Sequence, residues 1–69
     1  MDFHEALIEI LDGNKIRRTE WDNLDEIAYI KDGFLRLFRN DKEHNFILSE
    51  ADMIATDWVV VESEDGRTN

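Results

Sequence analysis

The chain has 69 residues, no cysteine and a formal net charge of −9, which allows one domain with a thin core, since a chain of about this size buries only about 60% of what its unfolded form exposes. Domains this small are normally supplemented by disulfides, a metal or self-association; without cysteine, and with only the widely separated His4 and His44, self-association into a homo-oligomer is what remains. The charge argues against DNA or RNA as a partner, and the missing basic leader and long apolar run argue against export or a membrane, so the chain reads as cytoplasmic.

Phe3, Ala6, Leu7, Ile10 and Leu11 are spaced as one apolar stripe on a helix over about residues 3 to 12. Asp2 with Glu5 supplies a capping box at its start, and Gly13-Asn14 a left-handed closure at its end. Lys15 to Trp21 reads as a short strand or extended turn. Residues 26–31 and 34–39 are two β-prone runs joined by Asp32-Gly33, a strong hairpin signal. A two-residue turn pairs Ile30 with Leu35, Tyr29 with Arg36, Ala28 with Leu37, Ile27 with Phe38 and Glu26 with Arg39. One face of that hairpin then carries Ala28, Ile30, Leu35 and Leu37, suited to the helix. The other carries Ile27, Tyr29, Phe34 and Phe38 with Lys31 and Arg36, a greasy and cationic mixture expected of a subunit interface or ligand site rather than of a solvated face.

Residues 40–45 read as a polar loop and Phe46-Ile47-Leu48 as a short strand. Ser49 with Asp52 caps a brief second helix, and Trp58 to Val61 forms the last strand. The expected fold is α+β: an N-terminal helix packed on a small antiparallel sheet, with a short second helix before the last strand. Residues 1–62 form the domain and residues 63–69 a polar, flexible tail.

Charge is unevenly spread. Between residues 15 and 42, seven basic residues meet six acidic ones, leaving +1; the remainder holds one basic and eleven acidic residues, leaving −10. An anionic small molecule could sit near that centre, whereas the acidic ends could serve as a surface imitating nucleic acid and bind a protein directly. Catalysis finds little support. No cysteine is present, Ser49 and Ser63 lack a nearby histidine signature, no metal motif occurs, and Gly13, Gly33 and Gly66 fit a cap, a turn and the tail rather than a phosphate loop. The expectation is therefore no enzyme, no metal and no cofactor.

Arg17-Arg18-Thr19-Glu20-Trp21 offers guanidinium groups and an indole, the parts needed to hold a planar phosphorylated ligand. On the residues alone the favoured reading is that Trp21 closes the core and one arginine pairs with Glu20 or Asp22 on the surface. Trp58 reads as core, with Asp57 placing the turn before it.

The order of these segments resembles the second family of phage Thoeris anti-defence proteins. It is carried by Phe3, Ala6-Leu7, Leu11, Gly13-Asn14-Lys15-Ile16-Arg17-Arg18 and Trp21, then a hairpin, then Ala51-Asp52-Met53-Ile54-Ala55-Thr56-Asp57-Trp58. The resemblance implies a non-enzymatic phage protein in the host bacterial cytoplasm, a homo-oligomer and typically a tetramer. Such a protein would sequester a cyclic ADP-ribose-type signal, with cyclic oligonucleotides as further ligands. By position it implies Trp21 stacking on a base, Arg18 or Arg17 contacting phosphate or ribose, and Asp57 and Trp58 forming a pocket wall or its support. The connection after Trp21 is more compact than the family pattern and proline is absent throughout, which would alter a pocket built from that connection. The alternative from composition is an acidic, nucleic-acid-mimicking inhibitor that binds a host or defence protein.

Overall fold

A computed structural model describes residues 1–23 and 25–61. The chain runs α1 (Phe3–Leu11), β1 (Lys15–Arg18), β2 (Ile27–Lys31), β3 (Phe34–Arg39), β4 (Lys42–Asn45), α2 (Glu50–Ile54) and β5 (Trp58–Val61). The strands form one antiparallel sheet in the order β4-β3-β2-β1-β5. This is the α+β layout read from the sequence, with the second helix ahead of the last strand. The polar tail expected over residues 63–69 lies outside the described residues.

Both helix ends form as their residues dictate. The Asp2 carboxylate accepts from the Glu5 amide at 2.9 Å while Glu5 accepts from the Asp2 amide at 3.1 Å, satisfying two amides the first turn leaves over. At the other end Gly13 takes φ +98°, where a side chain would be strained. Its amide donates to the Ile10 carbonyl and that of Asn14 to the Glu9 carbonyl, the paired bonds of a Schellman closure. Ser49 and Asp52 exchange the same reciprocal bonds at the start of α2.

The β2–β3 hairpin has the expected register, Ile27 to Lys31 pairing with Phe38 back to Phe34, about an Asp32-Gly33 turn with both residues at positive φ. Arg39 and Glu26 close its open end as an ion pair. The expectation fails beyond Arg39. Residues 40–45 are not a loop: Asn40 and Asp41 both take positive φ and turn the chain into β4, which pairs with β3 from Arg36↔Asn45 to Arg39↔Lys42. Lys42-Glu43-His44-Asn45 lacks apolar alternation because an edge strand exposed throughout has no face to bury. Phe46-Ile47-Leu48 is not a strand either. Phe46 donates one bond to the Leu35 carbonyl, then the chain leaves the sheet to cross toward the opposite edge, and the Phe46 ring turns into the core.

The core lies between the helices and one face of the sheet. Ala6 and Ile10 of α1 meet Ile16, Ala28, Leu37, Ala55 and Trp58, with Met1, Phe3, Trp21, Leu35 and Phe46 packed around them. Ala6 and Ala28 are fully buried, and their small side chains let α1 approach the sheet closely. At the far edge the Trp58 amide and carbonyl both bond to Met1, so the start of the chain covers part of β5.

Candidate functional site

Alternation along β1 sends Arg17 and Arg18 to opposite faces of the sheet. Arg18 shares the inner face with Ile16 and Trp58 and is only 7% exposed. Its three guanidinium nitrogens are all engaged within the chain: Nε donates to Asp57 Oδ1 at 2.9 Å, Nη1 to Asp52 Oδ1 at 3.2 Å, and Nη2 lies 3.1 Å from Glu20 Oε1. Asp57 also accepts from the Thr19 hydroxyl and the Glu20 amide through Oδ2. Burial alone would lower the Arg18 pKa, but its hydrogen bonds to Asp57 and Asp52 reverse this and raise it. Burial likewise pushes the Asp57 carboxyl up, yet the Arg18 hydrogen bond and the Glu20 amide hold it below the usual carboxylate range. The Asp52 and Asp57 of the A-D-M-I-A-T-D-W segment are thus the two anions that close on the second arginine of the R-R pair. Trp58 completes the clasp, fully buried, its indole donating to the Asp52 carbonyl at 3.0 Å.

Trp21 stands beside this clasp, half-buried. Its ring meets Trp58 at 5.7 Å and Phe46 at 6.0 Å, both edge-to-face, and Phe3 meets Trp58 from the other side. Arg17 points the other way. Its Nη2 donates to the carbonyls of Trp21 at 2.9 Å and Asn23 at 3.2 Å, and Nε to that of Glu26 at 3.4 Å, so it ties the β1–β2 connection to the sheet's rim. The structure therefore brings Trp21, Arg18, Asp57 and Trp58 together on the inner side and separates Arg17 from them.

The outer face is chemically different. Its strand residues, read across the sheet by register, are Glu43 and Asn45; Phe34, Arg36 and Phe38; Ile27, Tyr29 and Lys31; Lys15 and Arg17; Val59 and Val61. Four basic residues thus stand against one carboxylate, a local charge of +3 on a chain of −9. Among the described residues no helix covers this side: Phe34 is 63% exposed, while Ile27, Tyr29 and Phe38 are half-buried. Between them lies an open depression of about 350 Å³ lined by Lys15, Ile27, Tyr29, Lys31, Phe38 and Glu43. Lys15 Nζ sits 5.9 Å above the Tyr29 ring, and the Arg36 guanidinium 5.6 Å from the Phe34 ring centre. The Tyr29 hydroxyl donates to Glu43 Oε1 at 2.7 Å and Lys31 Nζ reaches the same oxygen at 3.4 Å.

Sequence reasoning placed Ile27, Tyr29, Phe34 and Phe38 on one face but missed Lys15 and Glu43. Lys15 joins that face only through the Ile16↔Ala28 pairing across β1 and β2, and Glu43 only because residues 42–45 form a strand. The Asn40-Asp41 pair was the available signal, both residues tolerating the left-handed conformation a tight hairpin needs. Among the described residues no helix is long and apolar enough to cross a membrane, and no group of three or more His, Asp or Glu side chains is placed to hold a metal. What the outer face offers is binding chemistry: aromatic surface, cationic donors and an open cavity.

No curated protein sequence matches the chain significantly. The family model described as the Thoeris anti-defense 2-like domain matches residues 1–61, spanning every helix and strand above, and the chain belongs to that family, with a role in phage anti-defence.

Proposed function

We propose that this protein acts as a sponge: a homo-oligomer that binds an anionic, cyclic ADP-ribose-type signal, or a related cyclic nucleotide, and withholds it from the defence system without cleaving it. The observation that carries this reading is the outer sheet face, where Lys15, Arg17, Lys31 and Arg36 gather with Tyr29, Phe34 and Phe38 on an otherwise strongly acidic molecule. Cations beside aromatic rings are what a phosphorylated ring compound requires, and placing them together supplies local attraction that the net charge opposes. Distant carboxylates matter less, because screening at physiological salt limits their reach to about 8 Å.

Ile27, Tyr29, Phe34 and Phe38 also give a second copy an apolar surface to pack on, and four-fold assembly is the arrangement the family resemblance favours. Arg17, on the outer face of β1, contributes a cation and holds the β1–β2 connection through the carbonyls of Trp21 and Asn23, while the Trp21 ring packs inward on Trp58 and Phe46. Arg18, Asp57 and Trp58 hold that connection in place and act as support rather than contact. The protein works in the cytoplasm of the infected bacterium, where the signal is made. Binding is the whole mechanism, so ligand captured from solution returns chemically intact when the protein is heat-denatured. A thermal-shift panel of cyclic ADP-ribose isomers and cyclic oligonucleotides, followed by recovery and chromatography of the bound species, tests this. A cleaved product would replace the sponge with an enzyme.

A second reading has its own support. With +3 on the outer face, the remaining residues of a −9 chain carry −12, an acidic surface suited to imitating nucleic acid against a basic protein partner. Such a complex forms without any small molecule and weakens steeply with added salt, which separates it from ligand capture.

A further inference from the structure

Glu43 is the lone carboxylate among the outer-face strand residues, and three donors converge on it. Its Oε1 accepts from the Tyr29 hydroxyl at 2.7 Å and from Lys31 Nζ at 3.4 Å, while Oε2 lies 3.7 Å from Arg36 Nε. That last separation is too long for a hydrogen bond. Arg36 Nε is moreover buried without any hydrogen-bond partner. A buried donor left unpaired forfeits its hydration without compensation, so native structures rarely leave one without a reason. A carboxylate has two oxygens in one plane and here reaches two of its three donors. A terminal phosphate presents three free oxygens spread tetrahedrally and a pyrophosphate diester four across its two phosphorus atoms, enough in either case to meet all three.

We propose that this convergence is an anion seat, that Glu43 is its built-in placeholder, and that a phosphate group of a ring-bearing ligand displaces the Glu43 carboxylate to take the Tyr29 hydroxyl, Lys31 and Arg36. The seat opens on the depression of about 350 Å³, within the roughly 300–1,000 Å³ usual for small-molecule sites. Lys15 above the Tyr29 ring supplies a further charge at its rim, and Phe38 and Ile27 an apolar floor for the ring of the ligand. Glu43 is free to leave: it lies on the exposed edge strand β4, whose main packing partner is β3. It is also charged at neutral pH, its carboxyl held below the ordinary range chiefly by the Tyr29 hydrogen bond. An arriving phosphate therefore meets a like charge that must swing aside, which weakens affinity and favours ligands with enough phosphate charge to displace it.

The inference rests on the anionic-ligand reading above, and the experiment separates the two. Adenosine 5′-monophosphate and inorganic pyrophosphate are titrated by calorimetry into the full chain, into Glu43→Gln and into Tyr29→Phe, with adenosine as the uncharged control. Glu43→Gln keeps an acceptor for Tyr29 but removes the competing charge, and is expected to bind both phosphate compounds at least about tenfold more tightly, with adenosine unchanged. Tyr29→Phe, which leaves the ring and removes one donor, is expected to bind them several-fold more weakly than the full chain. Equal or weaker phosphate binding by a folded Glu43→Gln overturns the placeholder. If Glu43→Gln does not fold, undiminished binding by Tyr29→Phe overturns the seat. Should Glu43→Gln gain affinity while the full chain takes up no cyclic nucleotide or ADP-ribose isomer, the seat stands and the sponge reading falls.

Discussion

The two faces of this sheet are made from alternate residues of the same strands and have opposite economies of charge. On the inner face Arg18 commits its guanidinium to Asp57, Asp52 and Glu20, and Trp58 its indole to a backbone carbonyl. On the outer face Lys31 and Arg36 share a single carboxylate, Lys15 lies over the Tyr29 ring, and Arg36 keeps a buried nitrogen without a hydrogen-bond partner. Arg17 and Arg18, adjacent in sequence, are committed to different sides with both guanidinium groups engaged, Arg17 by backbone carbonyls and Arg18 by carboxylates. The lesson is that residue type does not identify a binding group. Whether the surrounding chain has already satisfied its hydrogen-bonding capacity does.

That contrast predicts stability loss from inner-face changes and binding loss from outer-face ones. The largest effect is expected for Trp58→Ala, which empties the centre of the core and should destabilise by about 3–5 kcal/mol, enough to abolish the cooperative transition in urea followed by circular dichroism. Arg18→Ala strands Asp57 and Asp52 together and should lose on the order of 3 kcal/mol by the same measurement. Arg18→Lys should recover only part, because one ammonium cannot replace a planar fork aimed at three carboxylates.

Acid should loosen the same clasp. The folded-state pKa of Asp57 lies below its unfolded value, so its contribution is present above the ordinary aspartate pKa of about 3.9 and is lost as pH falls through the depressed folded value. As far as Asp57 is concerned, melting temperatures should therefore be flat from neutral pH to about 5 and fall below about 4. Asp57→Asn should flatten that acid limb. The smallest stability effect is expected on the outer face, where Phe34→Ser should change folding free energy by no more than about 0.5 kcal/mol. Its signature is instead weaker self-association in sedimentation. A large loss of stability from Phe34→Ser would erase the distinction between the faces.

Local signals in the sequence were strong enough to place α1, α2, the Asp32-Gly33 hairpin and its register, because each is set by residues within a few positions of one another. Trp58 was legible as core for the same reason, being the first of four apolar strand residues. What escaped was non-local or unmarked. β4 has no hydrophobic alternation to betray it, and the Arg18–Asp57 bond joins residues 39 positions apart. The apolar and cationic outer face was visible in the hairpin alone, through Lys31 and Arg36, whereas Lys15 of β1 and Glu43 of β4 join it only when those strands are laid beside it. The R-R and A-D-M-I-A-T-D-W segments, far apart in sequence, are physically one unit: Asp52 and Asp57 of the second hold Arg18 of the first.

The account stands on the outer face being where an anionic ligand is taken up, and calorimetric titration of cyclic ADP-ribose isomers into the full chain and a Lys15→Met, Lys31→Met double variant tests it most directly. The account predicts that a signal bound by the full chain is bound at least about tenfold more weakly by the double variant, at an unchanged melting temperature. Equal affinity in the two proteins would contradict it.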